Sequence, residues 1–446
     1  MASSGHSNGN THKGKIQPSK VWESLIARCL PALDSDAEHW WQLTGYHLAN
    51  MIEAAGYSVE RQYETLLFHY HWICPRLGPA PGPDGRTKWK SLVGIEGSPI
   101  EYSWKWNTTN GQPDIRYSWE PSNQISGTAL DPLNHSASLS YMHEVRRVVP
   151  DADFTWVHQL REKLFDHNLG EYAKEIENGL APSTTFIHAV EYVRPGIVLK
   201  SYFLPRRIGQ KEPHTLEQWD ETIRTLGPEN KSWDTTLEFV RKNQEGTHLR
   251  PLLLAMDDVR TDKSRLKLYF TTPRTSFASV REIMTLGGLT SVPESEMQDL
   301  RSFISATLGL PDNYPEDAEV RAGSRRGEMW KEAEDLVDGY IYFLDIRPGP
   351  TPVPEIKFYL PVRRYGPDDL SIARNLMAWM TAHGRGAYCD NYLGMLECVA
   401  EHRGLGKGKG LHTYLSYQFN KKGGDPDIKS YFGPEAYHPA RFNKSG

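Results

Sequence analysis

Apolar and polar positions alternate with a period of two in several stretches of the chain. In four of them the polar side carries the same pair, a lysine followed two residues later by a tyrosine. The stretches are Ile197-Val-Leu-Lys-Ser-Tyr-Phe-Leu-Pro205, Ser264-Arg-Leu-Lys-Leu-Tyr-Phe270, Glu355-Ile-Lys-Phe-Tyr-Leu360 and Ile428-Lys-Ser-Tyr-Phe432. Successive side chains of a strand point to opposite faces, so Lys200 with Tyr202, Lys267 with Tyr269, Lys357 with Tyr359 and Lys429 with Tyr431 each share one face. A solvated outer sheet face would also carry scattered lysines. Four recurrences at intervals of roughly 70 to 90 residues instead have the scale of repeated supersecondary units. If the shared face is the inside of a closed sheet, the chain surrounds a cationic chamber lined by tyrosine.

Between these strands the period becomes helical. Val21, Leu25, Ile26 and Leu30 recur at helical spacing up to Pro31, and 36–55 predicts a second helix with Ser35 or Asp36 as cap and Gly56 at its end. A third is expected over 59–73, where His69 and His71 lie on different faces and make no metal pair. Residues 77–83 read as a loop. Lys90 to Trp106 predicts strand, Gly-Ser-Pro turn, strand, placing Glu101, Ser103 and Lys105 on one face and Tyr102, Trp104 and Trp106 on the other. A strand carrying Arg116 follows at 114–119. Helices are then expected over 136–148, 154–164, 216–243, 276–286, 294–308, 367–383 and 391–401. They alternate with strand regions at 185–203, 252–270, 340–345, 354–362, 410–419 and 427–432. Helices followed by strand pairs, repeated, predict an α+β fold, an antiparallel barrel of about ten strands with helices outside. Closure also removes the edge strands.

Composition narrows the function classes. The chain has 446 residues, 38 % of them hydrophobic and 24 % charged, enough to bury a large core. A net charge of −5 argues against a general nucleic-acid binder, so any cationic site is local. Cys29, Cys74, Cys389 and Cys398 contain no CxxC pair and read as reduced thiols of a cytoplasmic protein. Residues 1–17, rich in Ser, Gly, Asn, His and Lys, read as a disordered leader before a single domain over 18–446. No run approaches the roughly 18 apolar residues of a membrane span.

Cations around an enclosed space are costly without anions to balance them, so the chamber implies a polyanionic ligand. Arg116, Lys200, Arg265, Lys267, Lys357 and Lys429 supply the charge, and Tyr202, Tyr269, Tyr359, Tyr414 and Tyr431 supply hydroxyls and aromatic faces. Phenol hydroxyls can bond phosphate oxygens, while the rings can shield a carbocation. Such a pocket suits ionisation of an organic diphosphate. Glu101, beside this face, is either a structural salt-bridge partner or a proton acceptor. The segment Asp257-Asp-Val-Arg-Thr-Asp262 misses the DDxxD spacing that would hold magnesium and reads as a loop. Gly404 to Gly410 lacks the phosphate-loop spacing and reads as a turn.

The ordered set EHWW at 38–41, QYETLLFHYHWICPRLGP at 62–79, GSPIE at 97–101, DIRYSWEP at 114–121, VLKSYF at 198–203, SRLKLYF at 264–270, EIKFYLPV at 355–362, HTYLSY at 412–417 and IKSYF at 428–432 resembles the fungal aromatic (indole) prenyltransferases of the dimethylallyltryptophan synthase family. The likeness runs through nearly the whole chain after the leader. It implies the α-β-β-α (ABBA) prenyltransferase barrel and transfer of a dimethylallyl group from dimethylallyl diphosphate to an aromatic ring, with no metal or other cofactor. By motif match, Glu101 corresponds to the acid that takes the indole N–H proton. Arg116, Lys200, Arg265, Lys267 and Lys357 correspond to the diphosphate cradle, and Tyr202, Tyr269, Tyr359, Tyr414 and Tyr431 to the shield around the allyl cation. Lys429 rests on the strand pattern alone. Leu92, Val93, Glu101 and Leu204 are expected around the acceptor. Leu204 and Leu252 stand where relatives that use free tryptophan carry a Tyr and an Arg, so the resemblance points to a tryptophan-containing cyclic dipeptide in indole alkaloid biosynthesis. Free tryptophan, a phenolic ring and a non-catalytic binder of a phosphorylated metabolite are the alternatives. Nucleic-acid and membrane partners are not expected, and the protein is expected as a monomer or homodimer.

Overall fold

The computed structural model describes residues 19–28, 30–106, 111–193, 196–210, 212–227, 229–323, 339–350, 352–421 and 423–442. The expected leader and Cys29 lie outside them. Ten strands are present, β1 (Ile100–Trp106), β2 (Asp114–Trp119), β3 (Phe186–Val193), β4 (Gly196–Phe203), β5 (Arg250–Asp257), β6 (Leu266–Thr272), β7 (Tyr340–Asp345), β8 (Ile356–Leu360), β9 (His412–Gln418) and β10 (Asp427–Phe432). Each pairs antiparallel with its neighbour in sequence, and β1 pairs with β10 to close the barrel.

Alternation along the strands sorts two environments. On β1 and β2, Tyr102, Trp104, Ile115, Tyr117 and Trp119 are fully buried on the outer face, against the surrounding helices. The main core is therefore the layer between barrel and helix ring, and truncating one of these aromatics to alanine would cost about 3–5 kcal/mol. The outer layer also satisfies its polar groups. Tyr117 OH bonds Tyr192 OH at 2.7 Å and His69 Nδ1 at 3.1 Å, and His69 Nε2 bonds Thr44 Oγ1 at 2.7 Å. His69 is thus a core histidine. The inner face carries the lysines, tyrosines and acids of the site, interleaved with small residues such as Ala189, Ala255 and Ser416 that leave room in the lumen.

Several expectations change. Lys90 to Ile95 is not a strand. It folds back in turns, with Ser91 N donating to Gly97 O (3.0 Å) and Gly94 N to Ser98 O (2.9 Å), because β10 and β2 already occupy both edges of β1. The second helix is capped by Asp34, whose Oδ1 accepts from Asp36 N (3.0 Å) and Ala37 N (2.8 Å). The long helix expected over 216–243 is two, Leu216–Arg224 and Lys231–Lys242, and a further helix, Leu169–Glu177, escapes the periodicity reading. No described helix is long and apolar enough to cross a membrane.

Candidate active site

The inner face is layered. At one level stand the expected lysines and Arg265, with Arg116 reaching the next level beside Tyr431. Lys200 Nζ lies 2.8 Å from Asp257 Oδ1 and 3.1 Å from Glu191 Oε2. Lys267 Nζ shares the same Asp257 oxygen at 2.9 Å, and Arg265 Nε takes Oδ2 at 2.7 Å. Lys357 pairs with Asp427, whose other oxygen is 3.6 Å from Lys105, and Lys429 lies 4.0 Å from Glu191. Arg116 donates to Ser103 Oγ (3.3 Å) and Tyr431 OH (3.2 Å). With Asp114 beside Lys105 and Asp345 beside Arg347, five carboxylates and eight cations among the described residues take part in these contacts. The balance is positive.

That excess is visible in the titration of individual groups. Burial, then the charge of Lys200 beside it, lowers Lys267 to about 7. Lys200 suffers the same burial, but Glu191 as well as Asp257 holds its charge, so it rises while Lys267 gives way. Burial brings Lys429 down to about 8 despite the attraction of Asp427. Burial also opposes ionisation of Asp257 and Asp427, yet the surrounding lysines overrule it and keep both carboxyls well below the usual range. Asp257 is therefore the end of β5 and the hub of the cation layer, not part of a loop. Asp258 faces the other way, accepting from Ser201 Oγ at 2.9 Å.

Next along the same staves comes a collar of tyrosines. Ring centroids run Tyr202 to Tyr269 at 6.4 Å, Tyr269 to Tyr359 at 5.7 Å and Tyr359 to Tyr431 at 5.8 Å. Tyr269 OH and Tyr359 OH are 3.3 Å apart. Tyr414 completes the wall, with the Arg363 guanidinium 4.7 Å from its ring centre. Together with Arg116 these tyrosines line an open-mouthed cavity of about 970 Å³, solvent at its mouth included.

The far half of the cavity is apolar, walled by Leu92, Val93, Ile187, Leu204, Leu252, Leu253 and Ile341, with Glu101, Ser118 and Arg363 as its polar groups. Two bulges shape it. Between Ser430 and Phe432 the register of β10 with β9 slips, so Thr413 and Tyr414 together oppose Tyr431. Tyr414 enters the cavity while Thr413 Oγ1 donates to Glu101 Oε1 at 2.6 Å. Between Pro251 and Leu253 the register of β5 with β6 slips too, and both Leu252 and Leu253 reach the lumen. Burial raises Glu101 to about 7, with Thr413, Arg363 and Arg116 restraining the rise. A carboxyl near neutrality beside an apolar slot can exchange a proton with a bound ring.

Every residue expected at the site from sequence thus faces the same lumen or its charged floor. Glu191, Asp257, Asp427, Lys105, Thr413 and Arg363 were missed as site members. Glu191, Asp257 and Asp427 do sit at the inward-facing parity of their strands, a signal that could have found them. Nothing local distinguishes Arg363 from Arg364. Among the described residues, His402, Glu435 and His438 bring potential metal ligands within 4.8 Å of one another, but Arg403 Nε already occupies Glu435 at 2.8 Å and none of the three lines the cavity.

The family model for tryptophan dimethylallyltransferase matches residues 36–395. Prenyltransferase anuH of Penicillium roqueforti is 50% identical over 432 residues, covering 96% of this chain and 95% of its own. Xanthone prenyltransferase A of Emericella nidulans is 40% identical over 444 residues, covering 96% and 99%. Among solved structures, AnaPT from Neosartorya fischeri matches with a TM-score of 0.74 at 20% identity, covering 93% of this chain and 97% of that one. NotF, solved in complex with brevianamide F and DMSPP, matches at 0.73 and 23%, covering 94% and 99%. These two carry the fold, an ABBA prenyltransferase barrel. With a family model spanning most of its length and relatives this close, the chain belongs to the tryptophan dimethylallyltransferase family and is an aromatic prenyltransferase.

Proposed function

We propose that the enzyme moves a dimethylallyl group from dimethylallyl diphosphate to a carbon of a hydroxylated aromatic ring, without a metal. The observation that carries this reading is the stacking of a cation-rich floor, a tyrosine collar and an apolar slot with Glu101 at its wall. Diphosphate lies on Arg116, Lys200, Arg265, Lys267, Lys357 and Lys429. The allylic C–O bond breaks, its electron pair leaving with diphosphate into preorganised positive charge. Tyr202, Tyr269, Tyr359, Tyr414 and Tyr431 shelter the cation, each ring contributing roughly 0.5–2 kcal/mol. Glu101 accepts the hydroxyl proton as the ring carbon attacks. The resulting dienone then loses its ring-carbon proton, Glu101 returns its own, and one proton leaves with the diphosphate. Both oxygens of Asp257 are committed to lysine and arginine, which supports charge neutralisation by side chains rather than by a cation held there.

The choice of ring rests on the apolar slot and on xanthone prenyltransferase A, at 40% identity. A second reading, the indole of a tryptophan-containing cyclic dipeptide, is favoured by Glu101 as an N–H partner and by the fold likeness to NotF, solved with brevianamide F. Dimethylallyl diphosphate offered with phenols, tryptophan and tryptophan-containing cyclic dipeptides in EDTA, with products identified by mass spectrometry, separates them. C-prenylated phenols are expected. Products from indoles alone would transfer the assignment to the second reading, and silence in EDTA reversed by magnesium would sink the metal-free mechanism. Donor hydrolysis with no ring prenylated would leave a diphosphatase, and donor binding without turnover a binder.

A further inference from the structure

Resting on the aromatic-acceptor reading above, we infer that Arg363 is a specificity residue, and that the acceptor carries an oxygen that accepts a hydrogen bond next to the hydroxyl or N–H whose proton Glu101 takes. Arg363 lies in the short helix Val362–Tyr365 that follows β8 at the rim, and its guanidinium lines the cavity. Its neighbour Arg364 goes to the ring of Tyr365 instead, 5.7 Å from its centre. Among the described residues no carboxylate lies within 4.0 Å of Arg363, in contrast to the cations of the floor, where Lys200, Lys267 and Arg265 share Asp257. It lies over the ring of Tyr414 and interacts with its hydroxyl, which leaves the rest of its five N–H donors for a ligand. A guanidinium beside an aromatic face and apolar walls, with its N–H groups unclaimed by an acid, awaits an acceptor from the ligand.

Glu101 supplies the complementary half. It is close enough for the charge of Arg363 to favour its ionised form, yet the two make no salt bridge. Thr413 already fills one Glu101 oxygen at 2.6 Å, leaving the other for a ligand proton. The pair therefore presents an acceptor and a fork of donors to one cavity, with apolar contacts elsewhere. A ring bearing a hydroxyl beside an ionised hydroxyl, carboxylate or carbonyl meets both. A ring bearing a hydroxyl alone offers Arg363 no acceptor. Sites built to hydrogen-bond a polar group discriminate strongly against analogues that lack it.

Matched acceptors test this, phenols and indoles each with and without an adjacent carboxylate or carbonyl, assayed with the parent enzyme and Arg363→Leu. The parent is expected to prefer the oxygenated member by at least tenfold in kcat/KM. In R363L the preference should vanish, Arg363→Lys should restore part of it for carboxylates, and the KM for dimethylallyl diphosphate should hold. A preference that survives R363L overturns the inference, as does a rise in donor KM, which would assign Arg363 to diphosphate. Reaction of indoles alone would defeat the phenol reading while leaving this comparison intact. Calorimetric titration of salicylate against phenol decides without turnover, since equal affinities in the parent, or an unchanged ratio in R363L, overturn the inference.

Discussion

Glu101 is set by three neighbours of different kinds. Burial raises its pKa to about 7, the Thr413 hydroxyl and nearby arginines pull the other way, and the apolar slot proposed for the ring lies beside it. A base works in its ionised form, so acceptor turnover should rise with pH through about 7, measured as kcat/KM for the acceptor. Thr413→Val removes a bond to the carboxylate, so that limb should move to higher pH. Glu101→Gln should lower kcat by about 10²-fold or more while leaving donor affinity in place, and full turnover in that variant would refute the assigned role. How much of this was readable in the chain differs by residue. Glu101 was placed on the correct face by alternation alone. Thr413 was not, because alternation assigns it to the face opposite Tyr414 and only the register slip against β10 turns both inward. Arg363 was invisible for a related reason: the phase of a four-residue helix is set by packing, not by its two arginines.

At the level of strands, the Lys-x-Tyr repeat encodes a floor and a collar together, since residues two apart occupy successive levels of one inward face. What the repeat does not encode is which strand stands beside which. Lys200 meets Asp257 because β4 and β5 pair in the register Lys200↔Asp257, and Arg116 meets Glu191 by the register of β2 with β3. Parity turns these acids inward, but which lysine each one meets is a property of a strand pair. Asp257 is the strongest case, holding Lys200, Lys267 and Arg265 at once. Asp257→Asn should cost about 3–5 kcal/mol, read as a lower thermal midpoint. Inorganic diphosphate should raise that midpoint more in the variant than in the parent by replacing the lost anion. Equal shifts would mean that the ligand binds away from this hub.

Across the whole molecule, an excess of cations without ligand makes donor binding a protonation event. Lys267, near 7, is mostly neutral at pH 8 in the free enzyme. Diphosphate on the proposed floor should favour its charged form and raise its pKa, so binding should take up a proton above pH 7 and little below pH 6, and donor affinity should decline as pH rises. Calorimetry with an unreactive thiolodiphosphate in buffers of different ionisation enthalpy should record proton uptake at pH 8 that falls by nearly one proton in Lys267→Met, the remainder belonging to Lys429. No uptake would place the donor elsewhere.

The pairing of β1 with β10 sets an order of events during synthesis. Trp106 Nε1 reaches Ser430 Oγ at 2.9 Å across 324 residues of chain, so the seam between the first and last strands cannot form until β10 has left the ribosome. Until then the nascent sheet is an open ribbon. Its lysines and acids stay hydrated while the outer aromatics can already collect their helices. Part of the helix layer waits as well, since Trp104 and Trp106 pack on Tyr392 and Asn391 Nδ2 reaches Ala54 O at 2.9 Å, so desolvation of the charged lumen and completion of that side of the helix ring both follow the last strands.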